Sequence, residues 1–238
     1  MSIGLRSLYH RFNTRFPALG KALRVIFLGE RWQGYRGILH GEGNQIQAQG
    51  TILKNVELDV IGDHNIIQVG EGAELHNLKI RMRGSGHRLE IGRECRISRG
   101  GMFWFEDRDC LLKIGEKTTM VDVHIAVTEP GSRVTIGAEC MFANDIDIRT
   151  GDSHSIIDAS SGARLNFAED IAIEDHVWVA AHTVVLKGVR IGADSVVATG
   201  SVVTHSCDQG VVLAGNPAKV IKTGISWKRE RIEKAKDK

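Results

Sequence analysis

Several features that would fix a function class are missing from this 238-residue chain. There are only four cysteines, Cys95, Cys110, Cys140 and Cys207, and none stands in a C-x-x-C pair. That argues against a disulfide framework or a zinc knuckle and predicts reduced thiols. No apolar run approaches the roughly 18 residues a membrane-spanning helix needs. The first residues lack an apolar leader core and a small-residue cleavage site, which predicts an unprocessed, cytoplasmic protein. Proline occurs three times, so Pro217 gains weight as the fixed point of a turn.

Charge of either sign is not in overall excess, the net being +2, but its distribution is uneven. Residues 1–40 carry +6 and residues 219–238 carry +5, which leaves the body at −9. An acidic body argues against a nucleic-acid groove along it. The basic ends suit either plain solvated helix faces or contact with an anionic lipid surface or glycan.

What the chain does have is a six-residue beat. Positions 173, 179, 185, 191, 197 and 203 read Ile, Val, Val, Ile, Val, Val. Two residues before each beat, from 177 to 201, stand Val, Thr, Val, Ser and Ser. A helix needs a period near 3.6 and a lone strand a period of 2, so six fits neither. It fits a coil of short parallel strands, each hexad making one side of a prism with its aliphatic inward. Upstream, Val69-Gly70, Ile91-Gly92, Ile114-Gly115 and Ile136-Gly137 are 22, 23 and 22 residues apart. These spacings predict three-sided turns of 18 residues plus a corner loop of four or five. The beat recurs inside them at Ile91, Ile97 and Phe103, and at Ile136, Phe142 and Ile148.

After Ile148 the beat lapses until Phe167 and Ile173, so residues 149–166 are predicted to loop out of the prism. Loops on a rigid scaffold are where chemistry concentrates, and this one contains Gly151-Asp152-Ser153-His154. The prism is expected to end after Val203. Residues 1–37, with Leu5, Leu8, Phe12, Phe16, Leu19, Leu23 and Phe27 at helical spacing, form the expected N-terminal basic helical segment. They would cap the open first coil or lie on a membrane surface. The solenoid is predicted over 38–222, and a basic helix over 223–238 that begins near Ser226.

Three stretches resemble the hexapeptide-repeat acyltransferases. They are Val177-Trp178-Val179 with Val189-Arg190-Ile191-Gly192, Gly200-Ser201-Val202-Val203-Thr204, and Gly215-Asn216-Pro217-Ala218-Lys219-Val220-Ile221. Asp145 to Ile156 resembles the O-acetyltransferases of bacterial surface polysaccharides in particular. The resemblance implies an all-β solenoid, a left-handed parallel β-helix, and acetyl transfer from acetyl-CoA to a sugar hydroxyl. It also implies a homotrimer with active sites between subunits. A sugar hydroxyl attacks a thioester only if a base removes its proton, and histidine has a suitable pKa. The family's loop histidine falls on His154, its acceptor-site acid on Asp122 and its pocket tryptophan on Trp178. Asp145, Asp147 and Asp152 are nearby acids that could orient the base, with Asp145 and Asp122 preferred and Asp152 expected, like Trp178, at the substrate or oxyanion. Trp178, next to the inward Val179, would line the site or face the developing oxyanion. Groove positions Ala181, Thr199, Thr204, Lys219 and Lys222 are expected to hold the CoA. Ala180 and Thr199 depart from the family's usual glycine and alanine.

Two other readings of the prism remain open. A metal enzyme resembling γ-class carbonic anhydrase would use His176 and His182, six residues apart, although no third ligand is evident. A non-catalytic scaffold would have no need of the His154 loop. No metal and no nucleic acid is expected, and any membrane contact would be peripheral at the inner face.

Overall fold

The computed structural model describes residues 33–233. The predicted N-terminal segment lies outside them, except that its last residues already belong to the strand Gln33–His40. The first coil therefore begins before position 38. No helix occurs among the described residues.

The six-residue beat closes into a three-sided coil. Ile173, Val179, Val185, Ile191, Val197 and Val203 are all inward and at most 2% exposed. Burying each aliphatic contributes roughly 1.5–3 kcal/mol. The first side holds Met141–Phe142, Trp178–Val179 and Val196–Val197. The second holds Ile146–Arg149, Val184–Val185 and Val202–Val203. The third holds Arg133–Ile136, Ile171–Ile173 and Arg190–Ile191. The strands of each side pair in parallel from coil to coil, as Trp178 does with Val196 and Val184 with Val202. In earlier coils the first and second sides run together as one bent strand, for example Arg96–Arg108. These two sides make a 14-stranded sheet and the third side a 7-stranded one.

Register locates the extra residues of the 22- and 23-residue turns. Ile97 pairs with Met120, Phe103 with Ile125, and Leu112 with Val134. From Ile91 to Ile97 and from Ile97 to Phe103 the step is six, but from Phe103 to Ile114 it is eleven. The surplus thus lengthens the second side and its following corner only. Most corners turn through a residue with positive φ. Asn77, Asp145 and His182 do so between the first and second sides, and Lys117, Glu139, His176 and Asp194 between the third and first. Stacking these corners packs backbone on backbone. A Cβ on Gly115 would collide with Gly137 and Ala138 of the next coil, so glycine is required there.

Three expectations need correction. The prism continues past Val203, because Val211–Gly215 adds a further parallel rung on Val196 and Val197. Phe167 does not carry the beat. It is 58% exposed and lies under the Arg164 guanidinium, 4.9 Å from ring centre. The excursion from the coil therefore runs over 150–170, Arg149 being the last residue of its strand. Third, the expected C-terminal helix is absent from its described part. After a cis Asn216-Pro217 bond, Ala218–Thr223 returns as an antiparallel strand, and 224–233 has no regular structure. Contacts with the prism outweigh helix propensity here. Trp227 is 7% exposed and donates from Nε1 to the His176 carbonyl at 2.7 Å, and Arg229 reaches the carbonyls of Glu139 and Cys140.

Candidate active site

The protruding loop leaves at the corner between the second and third sides, where every long turn also carries its surplus residues. Its base is locked by Asn166, which is buried at 8% exposure. Asn166 Oδ1 accepts from the Ile156 amide at 2.7 Å, and its Nδ2 donates to Asp152 Oδ2 and to the His154 carbonyl, both at 2.8 Å. Lys187, one coil on, donates to Asp152 at 2.6 Å and to the Asn166 carbonyl at 3.1 Å. Arg164 pairs with Glu129 of the preceding coil. Hydrogen bonds from Lys187 and then Asn166 hold the Asp152 carboxyl below the usual carboxylate range. Asp152 is therefore an anchor of the loop. The His154 backbone is fixed while its side chain stays exposed.

The other candidates collect elsewhere. Asp122, Asp145, Ala181 and Thr199 all lie along the corner between the first and second sides, on successive coils. Backbone bonds link those coils there: Asp122 N to Ala143 O, His182 N to Asn144 O and Gly200 N to Ala181 O. Asp145 is exposed and bonds His182 Nδ1 at 2.6 Å. Asp122 is exposed too. Thr204 ends the second side of the last full coil, its hydroxyl 2.8 Å from His205 Nδ1, and Lys219 and Lys222 are exposed on the returning strand. Trp178 sits on the first side, half-buried, its ring 6.0 Å from that of Trp227. The fold thus brings Asp122, Asp145, Ala181 and Thr199 to the corner that follows the first side, on which Trp178 stands, whereas His154 and Thr204 belong to the corner between the second and third sides.

Sequence reasoning named Asp147 but not the cluster it centres on the outer second side. Asp147 receives two 2.7 Å bonds from Arg149 and lies 3.6 Å from His124 Nδ1. Burial opposes ionisation of Asp147, but the bonds from His124 and Arg149 outweigh it and hold the pKa down to about 2. These partners are a coil apart or two residues apart, and only the register shows that His124 faces Asp147. Lys187 went unnoticed for the same reason, and Asn166 because the loop folds back on itself to bring it to Asp152 and His154.

His176 and His182 occupy positive-φ corners and are engaged by Asp194 and Asp145. Among the described residues no three His, Cys, Asp or Glu side chains group as a metal site would require.

No family model matches the chain. It is 34% identical over 149 residues to a polysialic acid O-acetyltransferase of Neisseria meningitidis, covering 62% of this chain and 68% of that protein. A second polysialic acid O-acetyltransferase, from Escherichia coli O1:K1, is 38% identical over 116 residues, or 49% of this chain and 38% of its own length. The crystal structure of a polysialic acid O-acetyltransferase superposes with a TM-score of 0.79 at 32% identity, over 84% of this chain and 93% of that one. The chain belongs to the hexapeptide-repeat O-acetyltransferases. Its solenoid is accordingly the left-handed parallel β-helix, an exception to the usual right-handed crossover. It is an acetyltransferase. Membership removes both the carbonic-anhydrase and the scaffold readings.

Proposed function

We propose that this enzyme acetylates a hydroxyl of a sugar in a bacterial surface glycan or its precursor, with His154 as general base. The observation that carries the reading is the loop itself: a rigid base built by Asn166, Asp152, Lys187 and Arg164 presents one exposed histidine. The relatives named for polysialic acid supply the glycan class. His154 takes the hydroxyl proton as the oxygen attacks the thioester carbonyl. The tetrahedral intermediate then expels the CoA sulfur, and the proton returns from His154 to that thiolate. Trp178 lines the pocket at the developing oxyanion, and CoA runs along Ala181, Thr199 and Thr204 toward Lys219 and Lys222.

His154 and Trp178 occupy opposite parts of one prism, so the reading requires a second copy. In a cyclic trimer the arm of one protomer reaches the Trp178 edge of its neighbour, where Asp122 and Asp145 also lie. Ile156, Ile157, Leu165 and Phe167 of the arm are 57–61% exposed and favour such a contact. Asp145 would orient His154 only by exchanging its bond with His182. The basic terminal segments suit an anionic acceptor or an anionic membrane surface. No helix among the described residues is long and apolar enough to cross a membrane.

The test is free-thiol release from acetyl-CoA over a panel of surface glycans and sugars. His154→Ala is expected to lower acceptor-dependent release by at least about a hundredfold. Undiminished release would remove His154 from the mechanism.

A further inference from the structure

The segment 224–233 crosses the strands at the corner between the third and first sides, stapling successive coils. Ser226 donates to Asp194 Oδ1 at 3.0 Å, Trp227 to the His176 carbonyl, and Arg229 to Thr119 Oγ1 at 2.8 Å and the Cys140 carbonyl at 2.9 Å. The Trp227 ring lies flat on His176, centroids 4.3 Å apart and planes 9° apart. His176 is held in turn by Asp194 at 2.8 Å, and the Arg229 guanidinium lies 5.7 Å from the Trp227 ring. The ring is therefore fixed by its N–H, by its stacked imidazole and by the strap on either side.

The other neighbour of Trp227 is Trp178. The two rings are 6.0 Å apart and inclined at 49°, the tilted geometry that aromatic pairs favour. Trp178 is half-buried on the first side, two residues after His176 and three before Ala181. Its register partners on the neighbouring coils are Met141 and Val196, and the strap adds the aromatic ring of Trp227.

We propose that Trp227 is a positioning residue: the C-terminal strap holds the Trp178 indole in the orientation that acetyl transfer uses. This rests on the reading of Trp178 as part of the active site. The strap then links residues 224–233 to turnover through one aromatic contact, without touching substrate itself.

The test is a double-mutant cycle on the full-length enzyme, measuring thiol-release kcat and KM for Trp178→Phe, Trp227→Leu and the pair. Thermal midpoint and the circular-dichroism couplet of the paired indoles are followed alongside. Trp227→Leu is expected to lower kcat about tenfold, to change KM for acetyl-CoA less than about threefold, and to abolish the couplet. Trp227→Phe should restore most of kcat, and the double variant should be no slower than Trp178→Phe alone. Should Trp227→Leu lose stability too far to assay, Trp227→Phe and Trp227→His carry the same cycle. A lower thermal midpoint with kcat intact, or multiplicative effects in the pair, would overturn the proposal. If Trp178→Phe itself leaves kcat unchanged, the role of Trp178 falls, and this proposal falls with it.

Discussion

The two halves of the solenoid solve one packing problem with different cross-sections. Between 171 and 203 every side is a strand of two or three residues, and the interior is Val and Ile alone at the beat. Between 52 and 127 the strands reach 13 residues, and the interior holds Phe103, Phe105, Met82 and Met120. The surplus is not spread around the coil. It enters wholly at the second side and the corner after it, and the His154 arm leaves from that same corner. The regular half shows what the coil requires. The irregular half shows where it tolerates additions, and the His154 arm is the longest of them.

That comparison can be broken at several points, the largest expected effect first. If the wider half depends on its aromatic filling, Phe103→Ala costs about 3–5 kcal/mol, against about 1–2 for Val197→Ala in the narrow half. Urea unfolding of both variants checks this, and equal losses would dissolve the distinction. Backbone stacking at the corners predicts that Gly115→Ala costs about 1–3 kcal/mol although it adds only a methyl group. A neutral thermal midpoint would refute the close approach.

The Asp147 cluster sharpens the comparison on the outer surface, where the halves meet. Its carboxyl is held at about 2, below the unfolded value of 3.8. A depressed acid stabilises above its unfolded pKa, and the contribution disappears as pH falls from about 4 through 2. Asp147→Asn should therefore lower stability at pH 7 by about 1–2 kcal/mol and flatten the loss between pH 4 and pH 2. Parallel acid-unfolding curves for the two proteins would show the pairing to be worthless. The smallest expected effect concerns the termini: neutralising the basic residues of 1–36 should weaken pelleting with anionic vesicles several-fold. Unchanged pelleting would dispose of membrane contact through that segment.

Much of this was legible in the sequence because a solenoid repeats. Ile91, Ile97 and Phe103 announced their inward positions by spacing, as did Val179 and Val185. The resemblance at Val177–Val179 and Gly215–Ile221 supplied the family and its hand. Spacing could not reveal which residues meet across coils. His124 against Asp147, Lys187 against Asp152, and Trp227 against Trp178 are separated by 23, 35 and 49 positions. The C-terminal segment misled for a related reason. Its basic, amphipathic pattern suits a helix, but Trp227 and Arg229 gain more from the carbonyls and imidazole of the prism than from helical bonds.

The central claim is that one chain keeps His154 and the Trp178 edge apart, and that neighbouring copies unite them. Co-assembly of His154→Ala with Trp178→Ala measures this most directly. Each variant alone should be nearly inactive. Random cyclic trimers of the two would contain one intact pairing in every mixed assembly, so thiol release should recover to about a quarter of wild type. A mixture no more active than its parents would contradict the shared site and place the chemistry within a single protomer.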